Sequence, residues 1–388
     1  MPVSRQAATR FIVALGTISL FSDVTYEGAR SVNGPFLATL GAGAAVVGIV
    51  SGAGELIGYL LRLFSGRAAD KTQAYWPFVI SGTIINLIAV PLMALAHHWI
   101  LASTLIVLER AGKGIRTPAR DVMLSQASHV VGRGWGFGLH EFMDQTGAFL
   151  GPLLVALVLH LQHQYALAYA ALAVPAGLAI ATLFTAIRFY PDPKHFEEPT
   201  AVTPGSQTGG FPRAFWVYVA AAGLLAAGFV DFLLFAFHFQ TKSIVPPGQI
   251  PVFYAIAMGV EALTALIFGK LYDRIGTPAL AGGVLLSAAS SPLAFFGSYY
   301  VALGGIVLWA AGMGAQQSTL RARVASLVPQ EKRGSAYGIF NAVYGILWFL
   351  GSSAIGILYS RSLAVAVGLA MVAQLAAIPL LAIGRRLH

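Results

Sequence analysis

Long apolar runs alternate with short polar segments along this chain. Twelve such runs are legible, at roughly 11–33, 43–64, 75–96, 99–120, 134–160, 165–187, 214–239, 249–269, 277–297, 299–322, 334–359 and 363–384. A helix crosses a bilayer with about 20 mostly apolar residues. Barrel strands would be about ten residues long and would alternate, and these runs do neither. The first run follows Arg5 and Arg10 and continues too far for a cleavable signal, so it is read as the first span. The pattern predicts an all-α polytopic membrane protein with twelve transmembrane helices, in a cell membrane.

The longest polar stretch is RFYPDPKHFEEPTAVTPGSQTGGFPR, residues 188–213. Its Pro, Gly and charge content marks a linker. It divides the chain into six spans within 1–187 and six within 214–388. The two parts repeat. Gly66-Arg67-Ala68-Ala69-Asp70-Lys71 follows span two, and Gly269-Lys270-Leu271-Tyr272-Asp273-Arg274 follows span eight. Arg133-Gly134 matches Arg333-Gly334, and Phe149-Leu150-Gly151 matches Phe349-Leu350-Gly351. A duplicated six-helix unit is the economical explanation, and such parallel repeats suit alternating access at a central seam.

Composition agrees with the hydropathy pattern. The chain of 388 residues is 57% hydrophobic and only 10% charged, with a mean hydropathy of +0.74. Soluble domains carry about 25% charged residues. Cysteine is absent, which excludes a disulfide framework, a thiolate metal site and a cysteine nucleophile. The net charge of +9 does not require a nucleic-acid partner. With the N-terminus inside, nineteen of the 24 Lys and Arg fall in cytoplasmic segments, Arg116 and Arg120 among them. Only Arg30, Lys242 and Arg361 fall outside, while Arg110 and Lys113 lie within span four. The positive-inside rule therefore accounts for the basic excess and puts both termini in the cytoplasm.

Three local patterns resemble those of the major facilitator superfamily, and the likeness covers essentially the whole chain. Gly66, Asp70 and Lys71 are similar to its Gly-x-x-x-Asp-Arg/Lys loop signature, with Gly269, Asp273 and Arg274 as the second copy. Ile106, Arg110, Lys113 and Gly114 resemble its span-four pattern, with Lys where Gln is usual. Gly138, Gly147, Gly151 and Pro152 resemble its antiporter pattern, followed here by Val155 and Ala156 where glycines are usual. The resemblance implies two pseudo-symmetric six-helix bundles and secondary transport of a small molecule. Physically, the Gly-x-x-x-Asp segment is expected to turn sharply between helices, with Asp70 and Asp273 accepting from a neighbouring helix N-terminus. The span-five glycines are expected to let that helix lie close to its neighbour, and Pro152 to kink it.

Eight of the fifteen acids fall within predicted spans: Asp23, Glu27, Glu55, Glu109, Glu141, Asp144, Asp231 and Glu261. Each costs at least about 2.5–3.5 kcal/mol at the bilayer centre unless a cavity or partner receives it. Asp23, Glu27 and Arg30 share a helical face, as do Glu109 and Lys113, and His140, Glu141 and Asp144 crowd one turn. At matching places in the second half stand Phe340, Asn341 and Tyr344, which with Gln316 and Gln317 predict an aromatic and amide wall. Structural ion pairing explains any single one of these charges; the cluster points to coupling. His140 fits a proton relay, a metal ligand or a hydrogen-bonded packing residue.

No His-Glu-x-x-His, phosphate-binding loop or Ser-His-Asp set is found, so neither an enzyme nor an ATP-driven pump is expected, and no cofactor is required. The expectation is a monomeric secondary transporter that exports a small-molecule or cationic substrate against protons. Asp23, Glu27, Glu55, Glu109, Arg110, Lys113, His140, Glu141, Asp144 and Asn341 are the candidates for coupling or substrate contact. Asp144 ranks first as proton carrier, with Arg110 as its switch. A metal-cation exporter, an uptake symporter and a non-transporting receptor are the alternatives; the residues leave open whether a metal binds.

Overall fold

The computed structural model describes residues 4–192, 210–328 and 333–386, and among these there are helices and no strands. In chain order the helices are α1 Arg5–Arg30, α2 Asn33–Thr39, α3 Ala44–Thr72, α4 Tyr75–Leu92 and α5 Trp99–Val131. They continue with α6 Arg133–Gln162, α7 Tyr165–Ala171, α8 Ala173–Phe189, α9 Arg213–Gly228 and α10 Phe232–Thr241. The remainder are α11 Ile250–Ile275, α12 Thr277–Phe296, α13 Tyr299–Leu327, α14 Arg333–Arg361 and α15 Leu363–Arg386. Most of the predicted linker, residues 193–209, lies outside the described residues, as do Glu331 and Lys332.

Ten segments are long and apolar enough to cross a membrane, counting α7 with α8 and α9 with α10 as one each. The sequence pattern predicts twelve. The two remaining long helices are α5 and α13, of 33 and 29 residues. Helix α5 is diluted by Glu109, Arg110, Lys113 and Arg116 within one short stretch, and α13 by its glycines and Gln316, Gln317 and Ser318.

The chain forms two units, residues 1–33 with 57–203, and residues 34–56 with 204–388. Within the first unit α1 lies against α6. A side chain at Gly151 would overlap the Val24 carbonyl, and one at Gly147 the Leu20 carbonyl. Within the second unit Gly351 of α14 meets the Ala227 carbonyl of α9 in the same way. Val24 and Ala227 are 203 positions apart and Gly151 and Gly351 are 200 apart, so the sequence repeat is also a repeat of packing. Close helix approach through small residues is how membrane helices gain dispersion contacts. Gly138 has open space around it and does not take part, contrary to the sequence expectation. Helix α6 continues unbroken through Pro152.

Three further expectations are corrected. Gly66 to Lys71 is the last stretch of α3 and Gly269 to Arg274 the last stretch of α11; neither is a loop. The turns come just after them, at Gln73 (φ 55°) and Gly276 (φ 69°), both in the left-handed region. The short polar signature extends the helix because Arg, Lys, Ala and Leu, good helix formers, make up most of it. Asp70 and Asp273 are exposed at these ends. The third correction is span seven, which is not continuous: α9 stops at Gly228 and α10 begins at Phe232.

Candidate functional site

The site grows from the spacing of basic residues on α5. Lys113, Arg116 and Arg120 are three and four apart, so they project from one face. That face meets α1 in reversed order, as antiparallel helices require. Lys113 Nζ is 3.7 Å from Glu27 Oε1, Arg116 Nη2 is 3.9 Å from Asp23 Oδ1, and Arg120 Nη1 donates to Ser19 Oγ at 3.1 Å. The three rungs form a ladder, two of them ion pairs and the third a hydrogen bond.

Helix α6 closes the last rung into a ring. Asp144 Oδ2 is 3.7 Å from Arg120 Nη1 and 3.4 Å from His140 Nδ1. His140 Nε2 is 3.2 Å from Ser19 Oγ, which returns to Arg120. Arg120 also donates from Nε and Nη2 to Asp121 Oδ1, at 3.0 and 2.8 Å. Tyr26 sits in the ladder with Lys113 Nζ 4.0 Å from its ring centroid and the Arg116 guanidinium 5.6 Å away, a cation–π geometry.

A second branch lies higher on α5. Glu109 Oε2 is 3.5 Å from Arg110 Nε, and Asn86 Nδ2 donates to Glu109 Oε1 at 2.8 Å and to its backbone oxygen at 3.0 Å. Asn86 thus holds Glu109 on two atoms.

Burial grades the ladder. The side chains of Arg116 and Asp23 are 3% and 8% exposed, whereas Lys113, Arg120 and Asp144 are 22%, 18% and 16% exposed. The Asp23 pair is a dry rung and the Asp144 ring a wettable one. Most of these ion-pair distances exceed the 2.7–2.9 Å of a tight charge-assisted hydrogen bond. Asp144 Oδ1 is buried with no hydrogen-bond partner among the described residues. The groups face one another as loose ion pairs, while Arg120 is held more closely by Asp121.

The structure redistributes several roles expected from sequence. Arg116 and Arg120, read from sequence as cytoplasmic charges, lie within α5, which runs on to Val131, and Arg116 is buried. Arg110 and Lys113 are therefore not the sole cations of the interior. Arg110 is beside Glu109, and it is Arg120 that reaches Asp144, because Arg120 shares the Lys113 and Arg116 face while Arg110 is turned from it. Glu141 is exposed and accepts from Gln145 Nε2 at 3.0 Å, whereas His140 is buried and Asp144 half-buried. Arg30, read as an outer-end charge, is buried at the end of α1. Glu55 lies on the part of α3 that belongs to the second unit. Ser19, Tyr26 and Asn86 were not anticipated; Ser19 stands one turn from Asp23, which is the signal that would have found it.

The second unit lacks such a ladder at the matching positions. Met313, Gln316 and Leu320 stand where α5 has Lys113, Arg116 and Arg120, and Ala226 and Val230 where α1 has Asp23 and Glu27. Phe340, Tyr344 and Trp348 form a run of ring contacts, with centroids 5.7 and 5.6 Å apart, while Asn341 is half-buried beside them. Glu261 accepts from Gln317 Nε2 at 2.6 Å.

Comparison with known proteins agrees with this architecture. Residues 15–352 match the family model of the Major Facilitator Superfamily. An uncharacterised protein of Mycobacterium tuberculosis is 40% identical over 380 residues, 96% of this chain and 92% of the relative. An uncharacterised MFS-type transporter of Methanocaldococcus jannaschii is 24% identical over 90% of this chain and 89% of its own. The multidrug resistance protein MdtH of Photorhabdus laumondii is 25% identical over 84% of this chain and 80% of its own. Among solved structures, the nucleoside transporter NupG superposes with a TM-score of 0.77 at 14% identity, over 95% of this chain and 99% of that one. A peptide transporter POT superposes with a TM-score of 0.75 at 12% identity, over 99% of each. These structures share the fold. With the family model spanning most of its length, the chain belongs to the Major Facilitator Superfamily.

Proposed function

We propose that this chain exports a small molecule in exchange for protons, with Asp144 as the proton carrier and Arg120 as its switch. The observation that carries the proposal is the ring of Asp144, Arg120, Ser19 and His140, with its loose distances and its partly accessible carboxylate. Arg120 Nη1 and Asp144 Oδ2 attract each other across 3.7 Å. A proton on Asp144 removes the attraction at 3.7 Å and leaves Arg120 to Asp121 and Ser19. Release of Arg120 loosens the end of the α5 ladder against α1, a rearrangement inside the first unit. Glu27, Asp23, Lys113 and Arg116 keep the rest of the ladder in register.

Read as spans, α5 and α13 bring the count to twelve, with residues 188–213 and both termini in the cytoplasm. Export is the direction suggested by the name of MdtH, a distant relative. A cationic substrate would compete with Arg120 and the proton for one carboxylate, which is a direct route to exchange. A metal-cation exporter fits less well, since the His140–Asp144 pair is already faced by the Arg120 guanidinium, which repels a metal ion.

The test is flux in proteoliposomes. A panel of fluorescent organic cations and neutral drugs is loaded, and a pH step is imposed across the membrane. Accumulation against a gradient that follows the pH step and collapses with a protonophore is expected. Transport that ignores the pH step would leave a facilitator or another coupling ion, and the Asp144 reading would fail.

A further inference from the structure

Ser19 differs from the other hydroxyls of its helix. Thr17, Ser22 and Thr25 return theirs to the carbonyl one turn back, at 2.8, 2.6 and 2.8 Å. Ser19 Oγ lies between two side chains of other helices instead. It accepts from Arg120 Nη1 at 3.1 Å and stands 3.2 Å from His140 Nε2. On the far side of the imidazole, Nδ1 is 3.4 Å from Asp144 Oδ2. Ser19 and His140 are buried, so water does not compete for these contacts.

Where the hydrogens stand follows from what each group can donate. A guanidinium only donates, so Arg120 takes a lone pair of Ser19 and leaves the hydroxyl hydrogen for His140 Nε2. A neutral imidazole has one hydrogen, and the bond made by one nitrogen decides which nitrogen carries it. With Nε2 accepting, the hydrogen is on Nδ1 and faces the Asp144 carboxylate. The chain then runs in one direction, from Arg120 through Ser19 and His140 to Asp144. A protonated Asp144 has a hydrogen of its own to offer Nδ1, and this reverses the chain. The imidazole hydrogen stands on Nε2, Ser19 Oγ receives both Nε2 and Arg120, and its own hydrogen is free for the Leu15 carbonyl one turn back.

We infer that Ser19 and His140 are positioning residues that pass the protonation state of Asp144 to Arg120 by reversing this chain. Its use in transport rests on the proposed role of Asp144. The protons balance: one enters from water and forms the Nε2–H bond, the Nδ1–H bond breaks, and that proton forms the Asp144 O–H bond. The imidazole stays neutral throughout. Arg120 then loses the carboxylate's attraction and shares the Ser19 oxygen with a second donor. The charges facing this chain are Asp23 on α1, Lys113, Arg116, Arg120 and Asp121 on α5, and Glu141 on α6.

The experiment is magic-angle-spinning NMR of the full chain in lipid bilayers, with histidine labelled in heavy nitrogen. Protonated and bare ring nitrogens resonate apart, and the signals lost in His140→Asn are those of His140. At alkaline pH the neutral Nδ1–H form is expected, and on acidification the neutral Nε2–H form. Asp144→Asn should keep one form at every pH. Ser19→Ala should slow pH-driven accumulation severalfold with KM unchanged, and Ser19→Thr should restore it. An Nε2–H form at alkaline pH, a doubly protonated ring on acidification, or the same exchange in Asp144→Asn would overturn the relay. Exchange of the two forms without any pH-driven accumulation would keep the relay and remove the exporter reading. Accumulation with one fixed form would do the reverse.

Discussion

Arg116 and Asp23 stand 3.9 Å apart with their side chains 3% and 8% exposed, the driest rung of the ladder between α5 and α1. Removing one partner leaves a buried, uncompensated charge, at a cost of about 3–5 kcal/mol. Arg116→Leu should therefore lower thermal stability sharply, and Asp23→Leu in the same chain should recover most of the loss. A double-mutant cycle on the purified protein measures this. Additive losses would show that the two charges are not a pair.

Close packing of α6 on α1 gives a second expectation. Gly151→Val places a branched side chain where the Val24 carbonyl and Gly28 amide lie, and should destabilise by about 1–3 kcal/mol or more. Gly138→Ala meets open space and should be neutral or stabilising by up to about 1 kcal/mol. Unfolding curves for the two variants decide it; an equal loss at both positions would contradict the packing.

Asp70 is exposed at the end of α3, where Gln73 Nε2 donates to its backbone oxygen at 2.9 Å. Asp70→Asn is expected to slow turnover severalfold by biasing the balance of conformations, with ligand affinity unchanged. Normal turnover with weakened affinity would assign Asp70 a direct binding role.

Orientation can be tested without background, since the chain has no cysteine. Thr200→Cys should react with an impermeant thiol reagent in inverted vesicles and not in intact cells. Labelling from the outside would reverse the topology proposed here.

Much of this arrangement is legible before any coordinates. The all-helical membrane fold follows from apolar run length, and the duplication reads at offsets of 200 and 203 down to Gly151 and Gly351. The acids Asp23, Glu27 and Asp144 are conspicuous because charge in an apolar run is costly. What escaped was helix length. Ending span four near 120, at the thickness of a bilayer, turned Arg116 and Arg120 into loop charges. A 33-residue helix is about 50 Å long, and within it both arginines face α1 rather than end a helix. The three- and four-residue spacing of Lys113, Arg116 and Arg120 carried the ladder all along. The break after Gly228 was hidden because its stabilising partners, Gln374 and Trp309, are remote in sequence. Exposure separates Glu141 from the buried His140, which crowding in one turn did not foretell.

The central claim is that Asp144 carries the proton. Its most direct test compares Asp144→Asn with the wild type in proteoliposomes, in pH-driven accumulation and in substrate counterflow without a pH gradient. The account predicts that pH-driven accumulation is lost while counterflow persists, because the variant still rocks but no longer exchanges a proton. Full pH-driven accumulation by Asp144→Asn would contradict it and reduce the ring of Asp144, Arg120, Ser19 and His140 to a structural tie.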